Sequence, residues 1–231
     1  MKRFWKEVAL AAEVNGFGIH LDGRPVRTPA RQTLLVPTQQ LAEGIIVEWR
    51  EVGETIDPKA MPLTGLANAA IDHVRPDPHR FAQDLAKYAE ADLICYRVEG
   101  PSALIERQQE HWDPLLAWAR RRFDVDFRTT TSLMHVPQPT STVERLRSAL
   151  LSLDAFQLAG MSPLVTIGGS LIAALAVLER ASGVADAWLA VSLDDRWQLE
   201  QWGSDAEAEV ALQNRERDFL AAARFLALLD D

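Results

Sequence analysis

The stretch TLLVPTQQLAEGIIVEW, residues 33–49, changes its repeat halfway along. Thr33 to Val36 is a short apolar run behind a Pro29-Ala30-Arg31 turn, which predicts a strand. From Thr38 onward Leu41, Ile45 and Trp49 recur every four residues. Their side chains therefore share one helix face, and the Thr38 hydroxyl is placed to cap that helix. The strand period stops and the helix period starts within two residues. This switch predicts an α+β fold: a small antiparallel β-rich N-terminal domain, residues 1–37, followed by a larger all-helical domain, residues 38–231.

Upstream of the switch, Lys6 to Glu13, Phe17 to Leu21 and Val26 to Thr28 read as three further strands. Asn15-Gly16 and Asp22-Gly23 are dipeptides that favour tight hairpin turns, so the four strands form an antiparallel meander. A meander this small needs a neighbour to cover it. Downstream, Asp57-Pro58 and Met61-Pro62 interrupt the helical period. Thr64 is placed to cap a short helix carrying Leu66, Ala70 and His73. Asp77-Pro78 opens the next helix, with Phe81, Leu85 and Tyr88 on one face. Leu104, Gln108 and His111 continue the pattern, and Trp112-Asp113-Pro114 predicts a break before Leu115, Trp118 and Phe123. Val143, Leu146, Leu150 and Leu153 mark another helix.

The uncharged run from Leu158 to Leu178 is nominally long enough to span a bilayer. Ser162-Pro163, however, reads as an N-cap followed by proline at the first helical position, so a buried core helix over 163–182 is predicted instead. Val184 to Gln201 is predicted as one helix with two apolar stripes. Ser204-x-x-Glu207 reads as a capping box opening the last helix, whose inner face carries Leu212, Phe219, Ala223 and Leu226.

Composition narrows the function. Of 231 residues, 48% are apolar, enough for a sizeable core. A formal net charge of −9 argues against general nucleic-acid binding, which needs a basic surface; Arg120 to Arg122 is the longest basic cluster. A single cysteine, Cys95, excludes an internal disulfide and fits a reducing compartment. Beside Tyr96 in an apolar run it reads as a buried structural residue. The start, MKRFWKEVAL, resembles neither a secretory signal nor a transit peptide.

The catalytic patterns are thin. His73 and His79 flank VRPDP without a ligand spacing. TIGGS, residues 166–170, lacks the Lys-Ser/Thr ending of a phosphate-binding loop and reads as a helix contact. Ser170 is not in a GxSxG elbow. No catalytic residue, cofactor or metal is expected. The densest cluster is DDRWQLEQWGSDAEAE, residues 194–209, with two tryptophans among six carboxylates. It admits an acid/base pair, Asp194 and Asp195. It equally admits helix-start chemistry for Ser204, Asp205 and Glu207, or a partner-binding patch anchored by aromatic residues. Trp197 and Trp202 are expected to pack at a helix–helix corner.

Seven blocks, taken in order, carry a resemblance. They are LDGRPVRTPA (21–30), LLVPTQQLA (34–42), VEWREVGETIDPKAMPLTGLANAAID (47–72), YAEADLICYR (88–97), Gln108 with WDPLLAW (112–118), IGGSLIAALA (167–176) and LDDRWQLEQWGSDAEAE (193–209). Over almost the full length they closely resemble the ATP synthase F₁ assembly chaperones of the Atp-twelve type, the α-subunit-binding family. The resemblance implies a non-enzymatic protein without cofactor that binds the free F₁ α subunit. It would shield the surface destined for the subunit interface, prevent aggregation and hand α over to the β subunit. No nucleic-acid partner and no membrane insertion are implied. The implied location is the bacterial cytoplasm, or the mitochondrial matrix for a processed form.

The family's acidic position ahead of the Trp-Gly pair maps to Asp194, with Asp195 beside it. Together with Gln198, Trp202 and Glu207, and with Trp49 from the Glu-Trp block, these are the expected partner-binding residues. Asp194 stands where many members carry Glu, and Arg196 where another acid is common. Trp49 shares the face of Leu41 and Ile45, which equally suits a core position. A small soluble enzyme using Asp194 and Asp195, and an adaptor that binds assembled F₁, stay open as alternatives.

Overall fold

The computed structural model describes residues 2–132, 134–203 and 205–230. Strands β1 (Val8–Glu13) and β2 (Gly16–Leu21) pair antiparallel throughout, from Val8 opposite Leu21 to Glu13 opposite Gly16. The other edge of β2 is shared. There β3 (Arg24–Pro25) pairs at His20–Leu21 and β4 (Leu35–Val36) at Phe17–Gly18. The turn between β2 and β3 places both Asp22 and Gly23 at positive φ, 49° and 77°, the conformation that matches strand twist. The expected third strand, Val26–Thr28, is displaced: the ladder holds Arg24–Pro25, and Arg27 makes only an isolated bridge to Thr33. With helices after the sheet, the α+β class is observed.

Helix α1 (Gln39–Glu51) covers β1 and β2 with Leu41, Ile45 and Ile46 buried. Thr38 caps it, its hydroxyl accepting from the Leu41 amide at 3.2 Å. Helix α2 (Pro62–Ala69) corrects the expected Thr64 cap. It begins at Pro62, and its cap comes from Glu48 on α1. That carboxylate accepts from the Leu63 amide at 2.7 Å, the Thr64 amide at 2.8 Å and the Thr64 hydroxyl at 2.7 Å. A distant acid thus satisfies the orphan N–H groups of a helix start. Burial pushes the Glu48 pKa upward while these bonds oppose the shift. A π-helical turn, Ala70–Val74, follows.

Strand gives way to helix between Val36 and Gln39, but the packing unit that holds the sheet continues to Pro78 and includes Asp154–Gly160 and the chain from Arg224 onward. The second unit, His79–Leu153 with Met161–Ala223, is helical. Helix α3 (Pro78–Ala86) begins where Asp77-Pro78 predicts it. Helix α4 (Ser102–Phe123) runs through Pro114 without the expected break. Pro114 lies on the exposed side, whereas Trp112, Leu115, Leu116 and Ala119 are buried and hold the helix from the other. Packing outweighs the one hydrogen bond that proline removes. Helix α5 (Thr140–Leu151) buries Leu146 and Leu150.

The expected helix over 163–182 is two helices, α6 (Ala155–Gly168) and α7 (Leu171–Leu178). Ser162-Pro163 lies inside α6, which a capping box at Asp154 and Gln157 opens. The Asp154 carboxylate accepts from the Phe156 and Gln157 amides at 2.8 and 2.9 Å, and the Gln157 side chain accepts from the Asp154 amide at 3.0 Å. TIGGS is correspondingly a helix corner. Gly169 sits at φ +66°, and Ser170 caps α7 by accepting from the Ala173 amide at 3.0 Å.

Asp92, fully buried, locks this corner. It accepts from the Ile172 amide at 3.0 Å, from the Ile94 amide at 3.3 Å and from the Ser170 hydroxyl. Burial pushes its pKa up to about 6. Neighbouring Cys95 is buried as well, its thiol pushed up to about 12 by burial and by the Asp92 charge. Among the described residues no helix is long and apolar enough to cross a membrane.

The expected helix over 184–201 is also two, α8 (Val184–Val191) and α9 (Leu193–Trp202). Ser192 separates them. Its hydroxyl donates to the Trp188 carbonyl at 2.7 Å and accepts from Arg196 Nε at 3.0 Å. Such back-bonding by serine competes with the backbone and bends the helix. The last helix is α10 (Ala206–Ala227). Ser204 of the expected capping box lies outside the described residues. Its neighbour Asp205 accepts from the Glu207 amide at 3.0 Å and opens α10.

Candidate functional site

In the helical unit, α8 and α9 are anchored before any site is presented. Trp188 packs on Phe219 with ring centroids 5.4 Å apart, and both are buried. Trp112 on α4 donates its indole N–H to the Ala190 carbonyl at 2.7 Å. Arg97 packs over the Trp112 ring and reaches Asp113 at 2.8 Å. This scaffold fixes Gln108, whose buried amide joins two elements. Its oxygen accepts from the Val98 amide at 3.1 Å, and its nitrogen donates to Asp194 Oδ1 at 2.9 Å. Asp194 is half-buried at the start of α9. Burial pushes its pKa upward, the Gln108 bond opposes this, and the charge of Asp195 adds to the rise.

Asp195 points elsewhere and forms an ion pair with Arg215 on α10. Asp195 and Arg215 line a groove of about 400 Å³ between the two helices. Its α9 wall is Asp195, Gln198, Leu199 and Trp202, and its α10 wall includes Ala208, Ala211 and Leu212. Trp202 stands 82% exposed, which corrects the expectation that it packs at a corner. Trp197 is half-buried, with the Arg107 guanidinium 4.9 Å from its ring centre and bridged to Glu200 at 2.7 Å.

The structure brings Asp195, Gln198 and Trp202 to one groove and sets Asp194 on α4 through Gln108. Glu207 is exposed in the first turn of α10. Trp49 belongs to the unit that holds the sheet. There it is half-buried, edge-on to Trp5 at 5.1 Å, with its indole nitrogen enclosed. Arg215, Leu199, Ala208 and Ala211 were not singled out from sequence. Ala208, Ala211 and Arg215 lie at i, i+3 and i+7 on one face of α10, a signal hidden because none of the three is strongly apolar. No cluster of three or more His, Cys, Asp or Glu side chains among the described residues could hold a metal ion.

Comparison with known proteins places the fold in a class. Atp12 from Paracoccus denitrificans is 40% identical with a TM-score of 0.93, the match covering 99% of this chain and 98% of that one. An aspartate-to-lysine mutant of the P. denitrificans protein matches at the same identity and TM-score, over 97% of its chain. Protein atp12, mitochondrial, of Schizosaccharomyces pombe is 26% identical over 238 residues, 98% of this chain and 82% of the relative. The shared architecture, an antiparallel N-terminal sheet followed by helices, is that of a chaperone class. The family model described as ATP12 chaperone protein matches residues 2–120, and the chain belongs to that family.

Proposed function

We propose that this chain is an F₁ ATP synthase assembly chaperone. It binds the free α subunit, shields the surface that α will present to its neighbours, and hands α over to the β subunit without turning over any substrate. Family membership supports the chaperone class. The observation that carries the site is Trp202, 82% exposed on an otherwise acidic helix corner. Tryptophan is enriched at protein–protein interfaces, where it supplies a large contact area at low conformational-entropy cost. Asp195, Gln198 and Trp202 form the centre of the proposed contact face, with Asp194 and Glu207 beside it, and Trp49, in the unit that holds the sheet, is a separate proposed contact. The chain works in the bacterial cytoplasm, or in the mitochondrial matrix if processed.

The test is co-purification with free α subunit, with assembled F₁ as the comparison. Capture of free α alone, weakened at least tenfold by Asp194→Lys while circular dichroism is unchanged, is the expected result. Failure of the unaltered chain to retain α under native conditions would sink the reading.

A further inference from the structure

The groove between α9 and α10 has a shape that specifies what fits it. Asp195, Gln198, Leu199 and Trp202 lie at i, i+3, i+4 and i+7 on α9. Ala208, Ala211, Leu212 and Arg215 lie at the same spacing on α10. Each wall is therefore one face of a helix, two turns or about 10 Å long. Leu199 and Leu212 supply apolar surface, while Ala208 and Ala211 keep the α10 wall low enough for a backbone to approach. The Asp195–Arg215 ion pair closes one end, so that arginine's charge is already matched. At the other end stand Trp202, Gly203 and Asp205, with exposed Glu207 in the following turn. Asp205, together with Glu207 and Glu209 in the first turn of α10, makes this end negative.

We infer that this groove takes an amphipathic, basic helical segment of the client. Its apolar residues, at i, i+3/i+4 and i+7, lie between Leu199 and Leu212 under the Trp202 ring, and its Lys or Arg side chains meet Asp205 and Glu207. This is the helix-in-groove mode of recognition, completed as a three-helix contact. The acids in the first turn of α10 also favour its helix dipole, but that role does not call for an exposed tryptophan or a groove beside them. The inference rests on the chaperone reading for the identity of the client, not for the chemistry of the segment.

The test uses the full chain and two fluorescent helical peptides with the same leucine face, one flanked by lysines and one by glutamates. Anisotropy should show the lysine peptide binding at least tenfold more tightly, with the preference falling as salt is raised. Trp202→Ala and Ala211→Arg, both at exposed positions, should each weaken it at least tenfold with unchanged circular dichroism. Equal binding of the two peptides, or binding indifferent to both variants, overturns the inference. So does a concentration-dependent dimer that either variant dissolves, since the groove would then take a second copy. If α is still captured by both variants, the groove assignment fails while the chaperone reading stands. If the unaltered chain captures no α yet binds the lysine peptide as described, the reverse holds.

Discussion

Two glycine corners in the helical unit connect one helix to the next, and they treat their surroundings oppositely. At Gly169, φ +66°, α6 turns into α7 inside the protein. The Leu93 amide donates to the Gly169 carbonyl at 3.0 Å, and Asp92 collects the free N–H groups of α7. At Gly203, φ +86° and ψ 162°, α9 turns towards α10 at the surface. That backbone region is essentially reserved for glycine, yet nothing lies within 4 Å of where a side chain would begin. The first corner is satisfied from within, so its residues carry stability. The second leaves an indole ring in water, so its residues are free to carry recognition.

The largest effect that would break this contrast is at Asp92. Asp92→Ala leaves the Ile94 and Ile172 amides and the Ser170 hydroxyl without an acceptor in a dry site. Each buried orphan costs about 1–3 kcal/mol, and relief of the carboxylate's own desolvation offsets part of the sum. A loss of about 3 kcal/mol is expected from urea unfolding, and a change within about 0.5 kcal/mol would show that the corner does not depend on it.

The pH dependence sharpens the same point. The pKa of Asp92 is raised from 3.8 to about 6 in the folded chain. Between these values the unfolded chain has released the proton that the folded chain still holds, so this contribution to stability falls as pH rises. The stability of the native chain relative to Asp92→Asn should therefore drop by at most about 3 kcal/mol from pH 4 to pH 7. A flat difference would mean that the carboxylate is solvated. The smallest expected effect is at the other corner. Trp202→Ala should change unfolding free energy by no more than about 0.5 kcal/mol, although it removes the proposed anchor for the client. A loss of several kcal/mol would return Trp202 to the core and erase the contrast.

What the sequence determined by itself is what neighbours in the chain decide. The change of period after Val36, the Thr38 cap, the Asp22-Gly23 turn and the buried stripe of α1 are all set within a few residues. The same holds for the Asp154–Gln157 capping box, set by two residues three apart. The charge and aromatic content of 194–209 likewise mark that stretch as a candidate surface. Tertiary structure decided the rest. Pro114 stays helical because buried side chains hold the opposite face of α4, and α2 is capped by Glu48 from another helix. The Gly169 corner depends on Asp92, nearly eighty residues earlier, and Asp194 is set by Gln108, 86 residues away. Periodicity reports which face a helix offers to a core. Where a helix bends, and which tryptophan stays in water, depends on partners that only the folded chain brings within reach.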